Sequence, residues 1–201
     1  MGCAAAYDRR VQKIARSVVR LLRAADVNFA VLGPEERCTG EAARRMGDEL
    51  LFRQLAEQNV ATLGEYHVRR IVAHCPHCVN SLRNDYPQLG GNYEVIHHSQ
   101  LLEELVRTGR LKPAAAADGG QPSIAFHDPC YLARALGEVN APRAVLAAAS
   151  GAGQATAGAL PVIELPRTKQ NTACCGVVEP HASAKSPTLA PPRLPSPARS
   201  A

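Results

Sequence analysis

An α/β fold with short, largely parallel sheets is predicted by three features of this chain. Apolar runs of four or five residues alternate with longer stretches of helical periodicity. Several of these runs end where a cysteine-bearing loop begins. The alternation also occurs twice, on either side of a Gly/Pro/Ala-rich stretch. With 201 residues the chain can hold one domain of ordinary size or two small ones. Aromatic residues make up 4% and Trp is absent, so the core must be built from Ala, Val, Leu and Ile.

The elements follow in order. From residue 8 to about 25, Val11, Ile14, Ala15, Val18 and Leu22 recur at helical spacing, with Asp8 placed to cap the N-terminus. Residues 28–32 (Asn-Phe-Ala-Val-Leu) predict a short buried strand stopped by Gly33-Pro34. A helical stretch then starts at about Glu41, with Met46, Leu50, Leu51, Leu55 and Val60 as its apolar side. Residues 70–73 predict a strand, and Pro76 opens a helix, since proline fits the first turn. A strand over 94–97 and a helix over 99–106 complete the first round. Residues 109–122 read as a linker. The second round has a strand at 123–126, a helix around 142–149 and a strand at 161–165. Residues 177–201 are rich in Pro, Ala and Ser, lack periodicity, and are expected to be disordered. The abrupt change after Gly176 suggests a shift of reading frame or an artificial boundary.

All seven cysteines fall into two partial copies of one pattern. The first is Cys3, then Cys38-Thr39-Gly40, then Cys75-Pro76-His77-Cys78. The second is Cys130, then Cys174-Cys175-Gly176. Such spacings converge only if the intervening chain folds around a shared centre, and thiolates are soft ligands suited to iron–sulfur clusters or zinc. Cys3, Cys38, Cys75 and Cys78 supply the four sulfurs that a [4Fe–4S] cluster or a tetrahedral zinc site requires. Thr39 fills the slot that Cys175 holds in the second copy, so this first site is limited to four. Cys130, Cys174 and Cys175 form an incomplete second site. Adjacent cysteines reach two different irons of a cluster more easily than one ion.

Other features bound the reading. The N-terminus lacks the basic start and apolar stretch of a secretory signal, and no apolar run approaches the roughly 18 residues of a membrane span. A cytoplasmic location is expected, where cysteines are more often ligands or redox groups than disulfides. The net charge of +5 draws heavily on Arg9, Arg10, Lys13, Arg16, Arg20 and Arg23, which share one helical segment. That is ordinarily a solvated helix face and, more sharply, a docking face for an acidic partner. Nucleic-acid binding is disfavoured because no aromatics interleave with the charges. No phosphate loop, dinucleotide fingerprint or Ser/His/Asp arrangement is present. Of the histidines at 67, 74, 77, 97, 98 and 127, His77 and His127 are best placed for hydrogen bonds that tune a cluster.

The tandem Cys…Cys-Cys-Gly…Cys-x-x-Cys arrangement resembles the cysteine-rich (CCG) domains of heterodisulfide reductase and of related iron–sulfur subunits in glycolate and lactate oxidation. The stretches Cys75-Pro76-His77-Cys78, Tyr93-Glu94-Val95-Ile96-His97-His98 and His127-Asp128-Pro129-Cys130-Tyr131-Leu132 carry the likeness in particular. The resemblance covers about residues 2–176. It implies an electron-transfer subunit rather than a self-sufficient enzyme, working with a redox partner such as a flavoprotein or ferredoxin-like subunit and compatible with a membrane-associated complex. It also implies a division into a first CCG-type unit (1–108, its first strand missing), a linker (109–122), a partial second unit (123–176) and a tail (177–201). Thr39, the missing strand before Cys3 and the missing second Cys-x-x-Cys depart from the pattern. A structural zinc module, a thiol–disulfide oxidoreductase using Cys75 and Cys78, and a non-functional fragment remain as alternatives.

Overall fold

The computed structural model describes residues 2–113, 124–150 and 162–174. Helix α1 (Cys3–Tyr7) leads into α2 (Arg9–Ala24). Asp8 caps α2 as expected, its carboxylate accepting from the N–H groups of Arg10 (2.7 Å) and Val11 (3.2 Å). The helical stretch predicted from Glu41 is two helices, α3 (Glu41–Arg45) and α4 (Glu49–Glu65). Gly47, at φ 87°, turns the chain between them, and Asp48 caps α4 by accepting from Leu51 N–H at 3.0 Å.

Next come β1 (Arg70–Ala73) and α5 (Pro76–Asn80). The latter runs on through a π-helical turn (Ser81–Asp85) and a 3-10 turn (Tyr86–Leu89). Strand β2 (Glu94–His97) and α6 (His98–Arg107) close the first round. The second round consists of β3 (Ile124–Phe126), a π-helical turn (Tyr131–Ala135), α7 (Asn140–Ala149) and β4 (Val162–Glu164). Both sheets are two-stranded and parallel. β1 pairs with β2 from Arg70↔Glu94 to Ala73↔His97, and β3 pairs with β4 from Ile124↔Val162 to Phe126↔Glu164. The α/β expectation therefore holds.

Because successive strand residues point to opposite faces, the β1–β2 sheet is apolar on both sides. Ile71, Ala73 and Val95 join Phe52, Ala56, Val79, Leu82 and Tyr86 beneath α4 and α5. Val72 and Ile96 join Leu22, Leu101, Leu102, Leu105 and Val145 beneath α2, α6 and α7. Two small cores thus share one sheet, and α7 of the second round helps cover the first round's strands.

Two expectations need correction. Residues 28–32 form no strand. Val27 and Phe29 do turn inward together onto the second core, with period-two spacing, but no strand lies beside them to complete a ladder among the described residues. The apolar side assigned to the second helical stretch is only partly the buried one, with Val60 packing on the first core and Leu55 half-buried. Met46, Leu50 and Leu51 are exposed, and α4 buries Phe52, Ala56, Asn59 and Leu63 instead. Most of the linker and the whole of residues 177–201 lie outside the described residues.

The two rounds share one local frame. β1 is followed by His74-Cys75-Pro76 and a helical turn, and β3 by His127-Asp128-Pro129 and a helical turn. Cys75 and Asp128 therefore hold the same strand-to-helix corner. In both cases the helix downstream widens into a π turn, a deviation common near functional sites.

Candidate functional site

The corner at Cys75 is fixed from behind by His97, the last residue of β2. His97 Nε2 lies 3.1 Å from the His74 carbonyl, and Nδ1 lies 2.7 Å from Ser99 Oγ. A carbonyl can only accept, so Nε2 carries the proton and Nδ1 accepts from Ser99. Burial drives His97 down to about 4, which keeps it in this neutral tautomer. Its backbone N–H in turn donates to Gln100 Oε1 at 3.0 Å, so the clamp on the corner also starts α6. Its neighbour His98 is likewise pushed down to about 3 by burial.

At the corner itself, Cys75 is drawn down to about 6. A hydrogen bond from Cys78 contributes most, and the backbone N–H groups of Cys78 and His77 add to it against the penalty of burial. Cys78 moves the opposite way, its thiol held neutral by the bond to Cys75 and by burial. The two sulfurs thus form a thiolate–thiol pair. Thr39 Oγ1, 3.7 Å from Cys78 Sγ, adds a hydroxyl.

Cys38-Thr39-Gly40 reaches this corner because Gly40 is a glycine. Its φ of +78° is left-handed, and a Cβ there would lie 3.0 Å from Phe52 Cδ2 and 3.2 Å from the Phe52 backbone. The close approach lets the loop lie against α4, and Gly40 N–H donates to Cys38 Sγ at 3.4 Å. Two buried side chains hold the loop from below. Asn59 Nδ2 donates to the Cys38 carbonyl (2.9 Å) and to Tyr86 Oη (3.0 Å), and Tyr86 Oη donates to the Thr39 carbonyl (3.1 Å). Neither residue was singled out from the sequence. A polar residue at an apolar period of α4 is the signal that could have found Asn59. Tyr86→Phe, which strips both bonds from a buried site, should destabilise the protein by about 1–2 kcal/mol. A lower urea midpoint at unchanged slope would register this.

Cys3 arrives on α1. Its sulfur hydrogen-bonds with Cys38, and burial together with that neighbour raises its pKa. Cys75 and Cys78 also act on it electrostatically. Gly2 turns the chain at φ +82°, where a Cβ would sit 3.6 Å from Cys78 Sγ. The four sulfurs of the first site therefore come together from three separate connections. They do so as two contacting pairs. Among the described residues no group of three or more His, Cys, Asp or Glu side chains is spaced to hold a single metal ion.

His77, between the two cysteines, faces the second round. Its ring stacks on Tyr131 with centroids 3.8 Å apart, and Nδ1 lies 3.3 Å from Glu41 Oε1. Glu41 is buried and also meets Arg45 at 3.2 Å. Burial works against its charge, but His77, Tyr131 and Arg45 hold it below the usual carboxylate range, and Glu41 raises His77 in return. The hydrogen bond that His77 offers the thiols comes from its backbone N–H to Cys75, while its ring faces Tyr131 and Glu41. His127 is exposed, and the geometry does not carry its assignment as a tuning residue.

In the second round the corner residue is an anchor. Asp128, 2% exposed, receives both terminal nitrogens of Arg143 at 2.7 and 2.8 Å. It also accepts from Thr168 Oγ1 (2.8 Å) and Lys169 N–H (2.7 Å). Its carbonyl accepts from buried Thr172 Oγ1 at 2.8 Å. Arg143 continues to Glu164 on β4, and the guanidinium holds Asp128 far below the ordinary carboxylate range. Cys130 and Cys174 each follow by two residues the Asp128–Thr172 bond, which brings their segments to one end of the β3–β4 sheet. Cys175 lies outside the described residues. None of the six described cysteines is in a disulfide.

Residues 1–83 match the family model CCG, cysteine-rich domain. The EtfAB:quinone oxidoreductase of Syntrophomonas wolfei is 41% identical over 175 residues, covering 87% of this chain and 23% of that protein. The probable iron-sulfur-binding oxidoreductase FadF of Bacillus subtilis is 39% identical over 176 residues, 88% of this chain and 23% of its own length. One subunit of the dihydromethanophenazine:CoB–CoM heterodisulfide reductase of Methanosarcina barkeri is 33% identical over 181 residues, 87% and 41% of the respective lengths. The chain thus spans about a quarter of the first two relatives and under half of the third. No solved structure matches it. Among the described residues no helix is long and apolar enough to cross a membrane. Residues 1–83, which carry all four thiols of the first site, match the CCG cysteine-rich domain family, and the chain's homologues are iron–sulfur oxidoreductase subunits.

Proposed function

We propose that this chain is an electron-transfer unit of a heterodisulfide reductase-like iron–sulfur oxidoreductase, holding a [4Fe–4S] cluster through Cys3, Cys38, Cys75 and Cys78. The observation that carries the reading is the convergence of these four sulfurs from three connections, with Cys75 already a thiolate near neutral pH. When bound, such a cluster supplies a one-electron couple. The chain's own residues prepare for its negative charge. Gly40 N–H, Thr39 Oγ1 and the N–H groups of His77 and Cys78 all point hydrogens at sulfur. The soft donor set fits the cluster. Zinc would require all four sulfurs about 2.3 Å from one point, and the arrangement in two pairs favours a polynuclear centre over that alternative.

In this reading residues 1–108 and 123–176 are two related CCG-type units. Cys130, Cys174 and Cys175 form an incomplete second set. The redox partner is a flavoprotein or ferredoxin-like subunit within a complex that could lie at a membrane, and substrate chemistry belongs to other parts of that complex. The polarity of the Cys75–Cys78 pair would also serve a thiol–disulfide exchanger, with Cys75 as nucleophile. Cys3 and Cys38 beside that pair have no role in such an enzyme.

Iron, acid-labile sulfide and zinc, measured after anaerobic reconstitution of wild type and Cys75→Ser, test the proposal. About four iron and four sulfide per chain, lost in the variant, is the expected result. Zinc alone would make the site structural. Metal-free protein whose Cys75 is alkylated rapidly at neutral pH would support the exchanger.

A further inference from the structure

Among the described residues the six cations of α2 meet no carboxylate. Arg9, Arg10, Lys13, Arg16, Arg20 and Arg23 are all exposed, and none forms an ion pair among the described residues. Elsewhere Arg44, Arg45, Arg53, Arg70 and Arg143 each meet Asp or Glu, while other described cations such as Arg37, Arg69 and Arg107 also form no ion pair. Helix α2 stands apart in gathering six of them on one helix. Arg9, Lys13, Arg16, Arg20 and Arg23 also recur at four- and three-residue steps, which places them on one stripe about 20 Å long. Ala15 and Leu22, on the opposite side, are buried. Exposed Ile14 and Leu21 lie well away from the stripe, about 120–140° around the helix from its centre, and Tyr7, 86% exposed, stands just before its beginning.

We infer that this stripe is the docking surface for an acidic electron-carrier protein, seated so that its redox centre faces Cys3. This rests on the electron-transfer reading of the four-thiol site and names the surface through which that site is reached. Cys3 is exposed and lies on α1, one residue of linker away from α2 and packed against it. A carrier lying along α2 therefore has a ligand sulfur at the edge of its footprint. Unpaired like charges at a low-dielectric surface raise the local concentration of an oppositely charged partner and accelerate encounter, with a steep dependence on ionic strength. One exposed aromatic side chain, Tyr7, at the start of the charged stripe suits the small, transient interfaces of electron carriers. A nucleic acid would share the charge but would find no aromatic rings among these cations to stack on.

The test uses the reconstituted full chain and the variant Arg9→Glu/Lys13→Glu/Arg16→Glu/Arg20→Glu, whose substitutions lie on the exposed stripe only. A reduced plant-type [2Fe–2S] ferredoxin, strongly acidic, is mixed with each by stopped flow at low and at physiological ionic strength. Methyl viologen radical is the small-molecule control. The ferredoxin reaction of wild type should slow about tenfold or more between the two salt concentrations. The variant should be about tenfold or more slower than wild type at low salt and insensitive to added salt, with unchanged viologen kinetics and cluster absorbance. Equal ferredoxin rates for the two proteins, or a wild-type rate that ignores salt, would overturn the docking surface while leaving the cluster in place. Retention of a duplex oligonucleotide in preference to the ferredoxin would also overturn it. Failure of viologen to reduce either protein would instead strike the electron-transfer reading itself.

Discussion

Replacing Asp128 with alanine should destabilise the protein by about 3 kcal/mol, the low end for removing one partner of a buried ion pair. The low end applies because Arg143 would keep Glu164, whose carboxylate is 42% exposed. The backbone would suffer as well. Thr168 Oγ1 and Lys169 N–H lose their acceptor, so the loop that leads to Cys174 is released from the corner at Pro129. Asp128→Asn should fall between the two, since it keeps an acceptor but surrenders the charge.

The same residue gives stability a direction with pH. Asp128 is held far below its unfolded value of about 3.9, so its contribution is complete above that value and is lost as pH falls toward the folded one. Wild-type stability should therefore decline from about pH 5 downward, and the alanine variant should decline less. Urea melts of both proteins at pH 7, 5 and 3 would measure the difference. Parallel losses in the two would remove Asp128 as the cause.

Gly40→Ala should cost about as much, near 3 kcal/mol, by a different route. A Cβ at φ +78° carries the left-handed penalty of about 1 kcal/mol or more. It also meets the Phe52 backbone at 3.2 Å, which cannot swing aside as a side-chain tip can, and overpacking of that kind costs about 1–3 kcal/mol. If the loop moves to relieve the clash, Cys38 moves with it and reconstituted iron should fall. If the loop holds, iron content stays and only the melting midpoint drops. Either way the loss of stability is required. A variant as stable as wild type would mean that the loop does not lie against α4 as described.

Much of this architecture was legible in the amino-acid order. The strands at 70–73 and 94–97, the helix opening at Pro76 and the cap at Asp8 all follow from local rules of period and capping. What escaped is long-range. α4 carries apolar residues on two sides, and only contact with the sheet selects Phe52, Ala56 and Leu63 over Leu50 and Leu51. Val27 and Phe29 turn inward as strand residues would, but Val31 is 55% exposed and a strand also needs a neighbour, which no local pattern supplies. Asn59 and Tyr86 lie 21 to 47 residues from the carbonyls they hold. Nothing near them in the chain announces that task. The Asp128–Arg143 pair is hidden for the same reason, although the shared strand–His–X–Pro frame points to it once both rounds are aligned.

That frame bears on how the molecule matures. An ion pair is complete as soon as the chain folds, whereas a set of thiols is complete only once it is loaded. The corner at Asp128 is closed by its own ion pair, and it presents Tyr131 to the first round. If the sulfurs at Cys75 and Cys78 hold a cluster as proposed, the corner resting on Tyr131 through the His77 ring is the one whose contacts depend on loading, while the Asp128 corner stands without it.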